Sequence, residues 1–107
     1  MFTFRLAELL KGTGVTANCL HPGYVKTKIG LNNLFLRLLT PIVKSGGISI
    51  EEGAKTSVYL ASSPEVENIS GKFYSKLKEK KPNVLAFNKE AQEELWNLSL
   101  KLTNLPS

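Results

Sequence analysis

Cysteine is almost missing from this sequence. Among 107 residues there is one, Cys19, so no internal disulfide and no cysteine-rich metal site can form, and a reducing compartment is compatible with that. Arginine is nearly as scarce: only Arg5 and Arg37 among 14 basic residues, so the formal net charge of +5 is carried by lysines. A nucleic-acid surface ordinarily shows a stripe of Arg and Lys interleaved with aromatics, and its lack argues against nucleic acid as a partner. Only Lys76, Lys78, Lys80 and Lys81 cluster; they fit a solvated surface turn, with an acidic membrane surface as the other reading. Long apolar runs are lacking too. Arg5 and Glu8 interrupt the apolar N-terminus, which leaves no region of the kind a secretory signal needs, and no segment reaches membrane-spanning length. The triplets Asn68-Ile69-Ser70 and Asn97-Leu98-Ser99 therefore lack the secretory context of glycosylation sites. What remains is a globular composition, 42% hydrophobic and 21% charged, sized for one domain.

Phe2, Leu6, Leu9 and Leu10 recur at helical spacing, and Lys11-Gly12 follows as a basic last turn with a glycine stop. Val15 to Leu20, small or β-branched with little charge, predicts a strand buried on both faces, as in a parallel sheet. His21-Pro22-Gly23 ends it, because proline cannot donate to a ladder and glycine permits a sharp change of direction. Leu31 to Val43 is densely apolar, and Pro41 ends or kinks whatever helix forms there. Ser49 and Glu52 have capping-box spacing, with a helix to about Ser62 whose inner face carries Ala54, Val58 and Ala61. Ile69 to Ser75 predicts a second strand, and the lysines with Pro82 a loop. Asn88 then caps a helix with Ala91, Leu95, Leu98, Leu102 and Leu105 on its inner face. Two strands joined by a helical connection of this length should be parallel. Two strands make a poor sheet, however, and a strand buried on both faces needs two neighbours. The expected fold class is therefore α/β: the C-terminal part of a doubly wound, Rossmann-type parallel sheet domain, with two strands and about four helices over residues 1–107.

The stretch Gly12-Thr13-Gly14-Val15-Thr16-Ala17-Asn18-Cys19-Leu20-His21-Pro22-Gly23-Tyr24-Val25-Lys26-Thr27 resembles the short-chain dehydrogenase/reductase family where a strand leads into its Pro-Gly motif. The likeness is greatest to the retinol dehydrogenase branch. Glu51-Glu52-Gly53-Ala54 with Val58-Tyr59-Leu60-Ala61 is similar to that branch's next helix, and Ser70-Gly71-Lys72-Phe73-Tyr74 to its last strand. The resemblance implies an oxidoreductase using NADP or NAD on a lipophilic alcohol or aldehyde such as a retinoid, on the cytoplasmic side and associated with the endoplasmic reticulum membrane. It further implies that Pro22 and Gly23 line the nicotinamide side of a dinucleotide site, that Val25 offers backbone to the carboxamide, and that Thr27 offers its hydroxyl. A carboxamide presents both donor and acceptor, so backbone plus hydroxyl is a sufficient clamp. Leu31, Leu34, Phe35 and Leu38 would fall in the variable substrate-side segment, where an apolar lining suits a lipophilic ligand.

Parts of the family's site have no counterpart here. Gly12-Thr13-Gly14 follows a helix, the reverse of the context a phosphate-binding glycine loop requires. By the resemblance, the family's catalytic Tyr-x-x-x-Lys and serine belong upstream, the lysine about one helical turn before Met1. This leaves no catalytic residue among the 107 and an expectation of no activity for the chain alone. The local matches Tyr24 with Lys28 and Tyr74 with Lys78 are decoys: the chemistry needs both side chains stacked on one helical face, and neither pair falls in a helix. His21 reads as a strand-end residue and Cys19 as buried and inert. A second reading is a non-catalytic module, self-associating through an exposed strand or resting on a membrane surface through Leu31 to Val43.

Overall fold

The computed structural model describes residues 1–25 and 47–106. The helix expected within Leu31 to Val43 lies outside them, as do Thr27, Leu31, Leu34, Phe35 and Leu38. The described elements are α1 (Phe2–Leu9), β1 (Cys19–His21), α2 (Ile50–Ser62), β2 (Phe73–Ser75), β3 (Lys78–Lys80) and α3 (Lys89–Thr103), with short 3₁₀ turns at Pro64–Val66 and Val84–Phe87. The chain is thus mixed α/β, with three strands and three α-helices among the described residues where two strands and about four helices were expected.

β1 and β2 pair in parallel, as expected, with Leu20 opposite Tyr74. β1 is shorter than the Val15 to Leu20 expected and is half-buried, not buried on both faces; Val15 is 56% exposed. In its first half, side chains supplement two backbone bonds, from Gly71 N–H to the Ala17 carbonyl (2.8 Å) and from Cys19 N–H to the Lys72 carbonyl (2.9 Å). Ala17 N–H donates to Ser70 Oγ (3.0 Å), Asn18 Nδ2 donates to the Ile69 carbonyl (2.6 Å), and Asn18 Oδ1 accepts from Lys72 N–H (3.0 Å). An asparagine that satisfies backbone groups itself competes with regular pairing, and among the described residues β1 has a single neighbour, β2.

β3 corrects the expectation of a plain loop. The chain reverses at Lys76 and Leu77, both at positive φ (52° and 63°), and pairs Phe73 with Lys80 antiparallel. Two-residue hairpins favour this backbone, but residues with side chains adopt it at a cost. Thr56 helps to hold it: its buried Oγ1 accepts from Leu77 N–H (3.2 Å) across 21 residues of sequence.

Helix starts follow local chemistry. Ser49 Oγ accepts from Glu52 N–H (3.1 Å) and Asn88 Oδ1 from Ala91 N–H (2.9 Å). The Glu52 carboxylate pairs with Lys55. The buried faces differ from those expected. α2 buries Gly53 and Thr56, while Ala54, Val58 and Ala61 are exposed. α3 buries Gln92 and half-buries Trp96, leaving Leu98, Leu102 and Leu105 exposed. The inward positions meet turns and another helix: Gly53 faces Val25, Thr56 accepts from Leu77 N–H, Gln92 donates to the Ala86 carbonyl, and Trp96 packs on Phe2. Adjacent strand residues point to opposite faces. Phe73 accordingly shares a hollow with Phe4 and Phe87, on the α1 and α3 side, while Tyr74 meets Tyr59 of α2 with ring centroids 6.2 Å apart.

Candidate functional site

β1 runs out at its carboxyl end into His21-Pro22-Gly23-Tyr24-Val25, and each residue of this turn has a physical task. Pro22 has no N–H to donate, which stops the ladder. Gly23 turns the chain at φ +81°, and its N–H donates to His21 Nδ1 at 2.8 Å, so His21 closes the turn as a local acceptor. A Cβ on Gly23 would be strained by that φ and would lie 3.2 Å from Ile48 Cδ1. Val25 then forms a parallel bridge with Ile48, whose N–H donates to the Tyr24 carbonyl at 2.9 Å.

The turn is clamped onto α2 through a missing side chain. Val25 packs against Gly53 so closely that a Cβ on that glycine would fall 2.5 Å from Val25 Cγ2. A glycine inside a helical pattern signals close backbone approach, the one clue in the sequence to this contact. Beside Pro22 is a hollow of about 210 Å³ lined by Ile48, Glu52, Lys55, Thr56, Lys76 and Leu77. Ordinary small-molecule pockets hold roughly 300–1,000 Å³, so this hollow is smaller than one that holds a ligand by itself. None of Ile48, Gly53 and Thr56 stood out as functional in the sequence, because their roles depend on contacts between distant elements. Near the start of α2 the Glu51 carboxyl is held below its ordinary value, chiefly by a hydrogen bond from its own backbone and then by Ser49.

Pro22, Gly23 and Val25 are therefore brought together in one clamped turn. Thr27 and the apolar residues Leu31, Leu34, Phe35 and Leu38 lie outside the described residues.

No tyrosine among the described residues is arranged as a phenolate base beside a helical lysine. Tyr74 is buried on β2 and Lys78 sits on the neighbouring strand β3. Tyr24 is 58% exposed within the turn. Tyr59 donates its hydroxyl to Glu65 Oε2 at 3.0 Å, and this hydrogen bond, with the carboxylate's charge and some burial, pushes its pKa up. A phenol favoured in its protonated form is a poor general base.

Across 109 aligned positions the chain is 38% identical to retinol dehydrogenase 14 of Homo sapiens, a match that takes in 98% of this chain and 32% of that protein. Retinol dehydrogenase 12 of Mus musculus is 39% identical over 105 positions, 98% of this chain and 33% of that protein. Polyprenol dehydrogenase of Homo sapiens is 32% identical over 109 positions, with the same two shares. The chain thus spans about a third of the length of the curated relatives it matches. No family model and no solved structure matches it.

Proposed function

As a chain belonging to the short-chain dehydrogenase/reductase family, in its retinol dehydrogenase-like branch and as a C-terminal portion, this polypeptide, we propose, supplies the nicotinamide end of a dinucleotide site in an oxidoreductase. The observation that carries this reading is the clamped turn from Pro22 to Val25 at the carboxyl end of a parallel strand. In open α/β sheets ligands bind beyond the carboxyl ends of the strands. The wider domain in this reading is doubly wound, with further strands joining β1 at the side away from β2.

The residues of the turn fit a flat aromatic amide. Gly23 has no Cβ to keep a ring at a distance, and Pro22 offers a rigid flat edge with no N–H of its own. The Val25 side chain is taken up by Gly53, which leaves its backbone as the group offered to the carboxamide. Thr27 adds its hydroxyl in this proposal, and Leu31, Leu34, Phe35 and Leu38 face a lipophilic alcohol or aldehyde such as a retinoid. NADP or NAD, when bound, supplies or accepts the hydride. This chain positions the cofactor; proton transfer belongs to the family's serine and Tyr-x-x-x-Lys, which have no counterpart here. Among the described residues no helix is long and apolar enough to cross a membrane. Association with the endoplasmic reticulum membrane on its cytoplasmic side remains part of the proposal.

The test is complementation. The chain alone should not turn over NADPH with a lipophilic aldehyde. Fused in place of the last third of retinol dehydrogenase 14, it should restore turnover, and Gly23→Val in that fusion should lower kcat/KM by at least about tenfold, since strain and bulk both fall at the ring's position. A folded, cofactor-binding fusion without turnover, or one indifferent to Gly23→Val, overturns the reading.

A further inference from the structure

The far edge of the sheet carries a second surface, independent of the dinucleotide reading. We propose that the β2–β3 hairpin and the 3₁₀ turn Val84–Phe87 dock this protein on an anionic lipid surface. Lys76, Lys78, Lys80 and Lys81 are all exposed, and the one acid among them, Glu79, is paired with Lys72 at 2.8 Å. The register places Lys80 opposite Phe73 and Lys78 opposite Ser75, so both lysines share the sheet face of Phe73. The 3₁₀ turn adjoins this edge: Phe73, Lys80, Lys81, Pro82 and Phe87, together with the Lys72–Glu79 pair, line a single hollow of about 350 Å³.

The tip of this surface is apolar. Val84 is 73% exposed, Leu85 68% and Phe87 50%. The turn that carries them is pinned: Asn83 Oδ1 accepts from Leu85 N–H at 3.0 Å, and the buried Gln92 donates Nε2 to the Ala86 carbonyl at 2.7 Å. Val84 and Leu85 therefore project from a held scaffold rather than from a frayed end. Lysines along an edge strand discourage edge-to-edge pairing, which accounts for Lys78 and Lys80 alone. It leaves the adjacent apolar pair unexplained. Apolar side chains that enter the acyl boundary beside lysines that meet headgroup charge account for both.

A lipid surface fits better than an acidic protein. All four cations are lysines, compact point charges suited to a diffuse layer of anionic headgroups, whereas recognition of individual carboxylates favours the planar fork of arginine. Val84 and Leu85 do not line the neighbouring hollow but stand exposed beside it, a shape suited to entering an acyl boundary. The strand order β1-β2-β3 also places this surface at the end of the described sheet away from β1, the strand that leads into the Pro22 to Val25 turn.

The test uses the full 107-residue chain and vesicles of phosphatidylcholine with or without phosphatidylserine. Co-sedimentation should require phosphatidylserine and weaken with salt. Replacing Lys78, Lys80 and Lys81 by Glu should lower partitioning on the order of 100-fold, and Val84→Ser with Leu85→Ser about tenfold. Depth gives a second readout that separates docking from adsorption of an unfolded chain. With Trp96→Phe in place, Leu85→Trp should be quenched by brominated acyl chains, while the native Trp96, packed against Phe2, should not. Equal binding to uncharged vesicles, equal quenching of Trp96, or binding to polyglutamate with none to vesicles would overturn the proposal, the last in favour of an acidic protein partner.

Discussion

The two helical layers of this small sheet are seated by different means. On the Phe73 side, α1 and α3 close through aromatic rings, Phe2 on Trp96 at 4.8 Å and Phe4 on Phe87 of the 3₁₀ turn at 5.5 Å. Ion pairs from Arg5 to Glu93 and from Lys89 to Glu8, each 2.9 Å, flank the contact. On the Tyr74 side, α2 comes in on Gly53 and on the Thr56 hydroxyl. The first layer relies on ring-to-ring contact, the second on closeness of fit. Among the described residues, only the second holds the Pro22 to Val25 turn. Losses in the first layer should therefore reduce stability and leave the turn in place, whereas even a small change in the second should displace it.

The largest expected effect tests the first layer. Trp96→Ala removes a half-buried ring and its partner's contact, which should cost about 3 kcal/mol in denaturant unfolding. In the complemented enzyme its KM for the dinucleotide should nonetheless stay within about twofold. Gly53→Ala comes next. Its new methyl meets a stiff β-branched side chain at 2.5 Å, for about 2 kcal/mol of overpacking, and it should raise that KM severalfold. If the two variants shift KM equally, the distinction between the layers fails.

The smallest effect is electrostatic. The Glu8 carboxyl is held below its ordinary value of 4.5, first by a hydrogen bond from Lys89 and then by that ammonium's charge. The folded state thus favours the carboxylate. Its contribution is fully present above the ordinary value and is lost as pH falls through the lowered one. Both partners are substantially exposed, so solvent screens the pair and the change is slight. Emission from Trp96 should report a weak loosening of α1 from α3 below about pH 4.5, and Glu8→Gln should abolish that change.

How much of this was legible beforehand divides along a physical line. Ser49 and Asn88 were readable as helix caps because a cap acts within three residues of itself. Pro22-Gly23 was readable as a turn because ring closure and a missing Cβ act on the local backbone. The inward faces of α2 and α3 were not. Apolar spacing pointed Ala54, Val58 and Ala61, and likewise Leu98, Leu102 and Leu105, inward, whereas Gly53, Thr56, Gln92 and Trp96 make the contacts. Periodicity marks where apolar area can be buried, and the partner determines which strip is used. The hairpin was hidden for a related reason: Lys76-Leu77 lacks the usual glycine or asparagine, and Thr56 supplies support from another element.

By itself, then, the sequence determined the caps, the stops, the turn at Pro22 and Gly23, the concentration of lysines from Lys76 to Lys81, and the resemblance that the comparisons bear out. The tertiary structure decided which helix faces are buried, that the lysine segment folds back as a strand beside an exposed apolar tip, and that Val25 is locked onto Gly53. Interactions of the first kind span a few residues and are set by the residues that make them. Those of the second kind arise only when distant parts of the chain meet, because burial and close approach are properties of pairs.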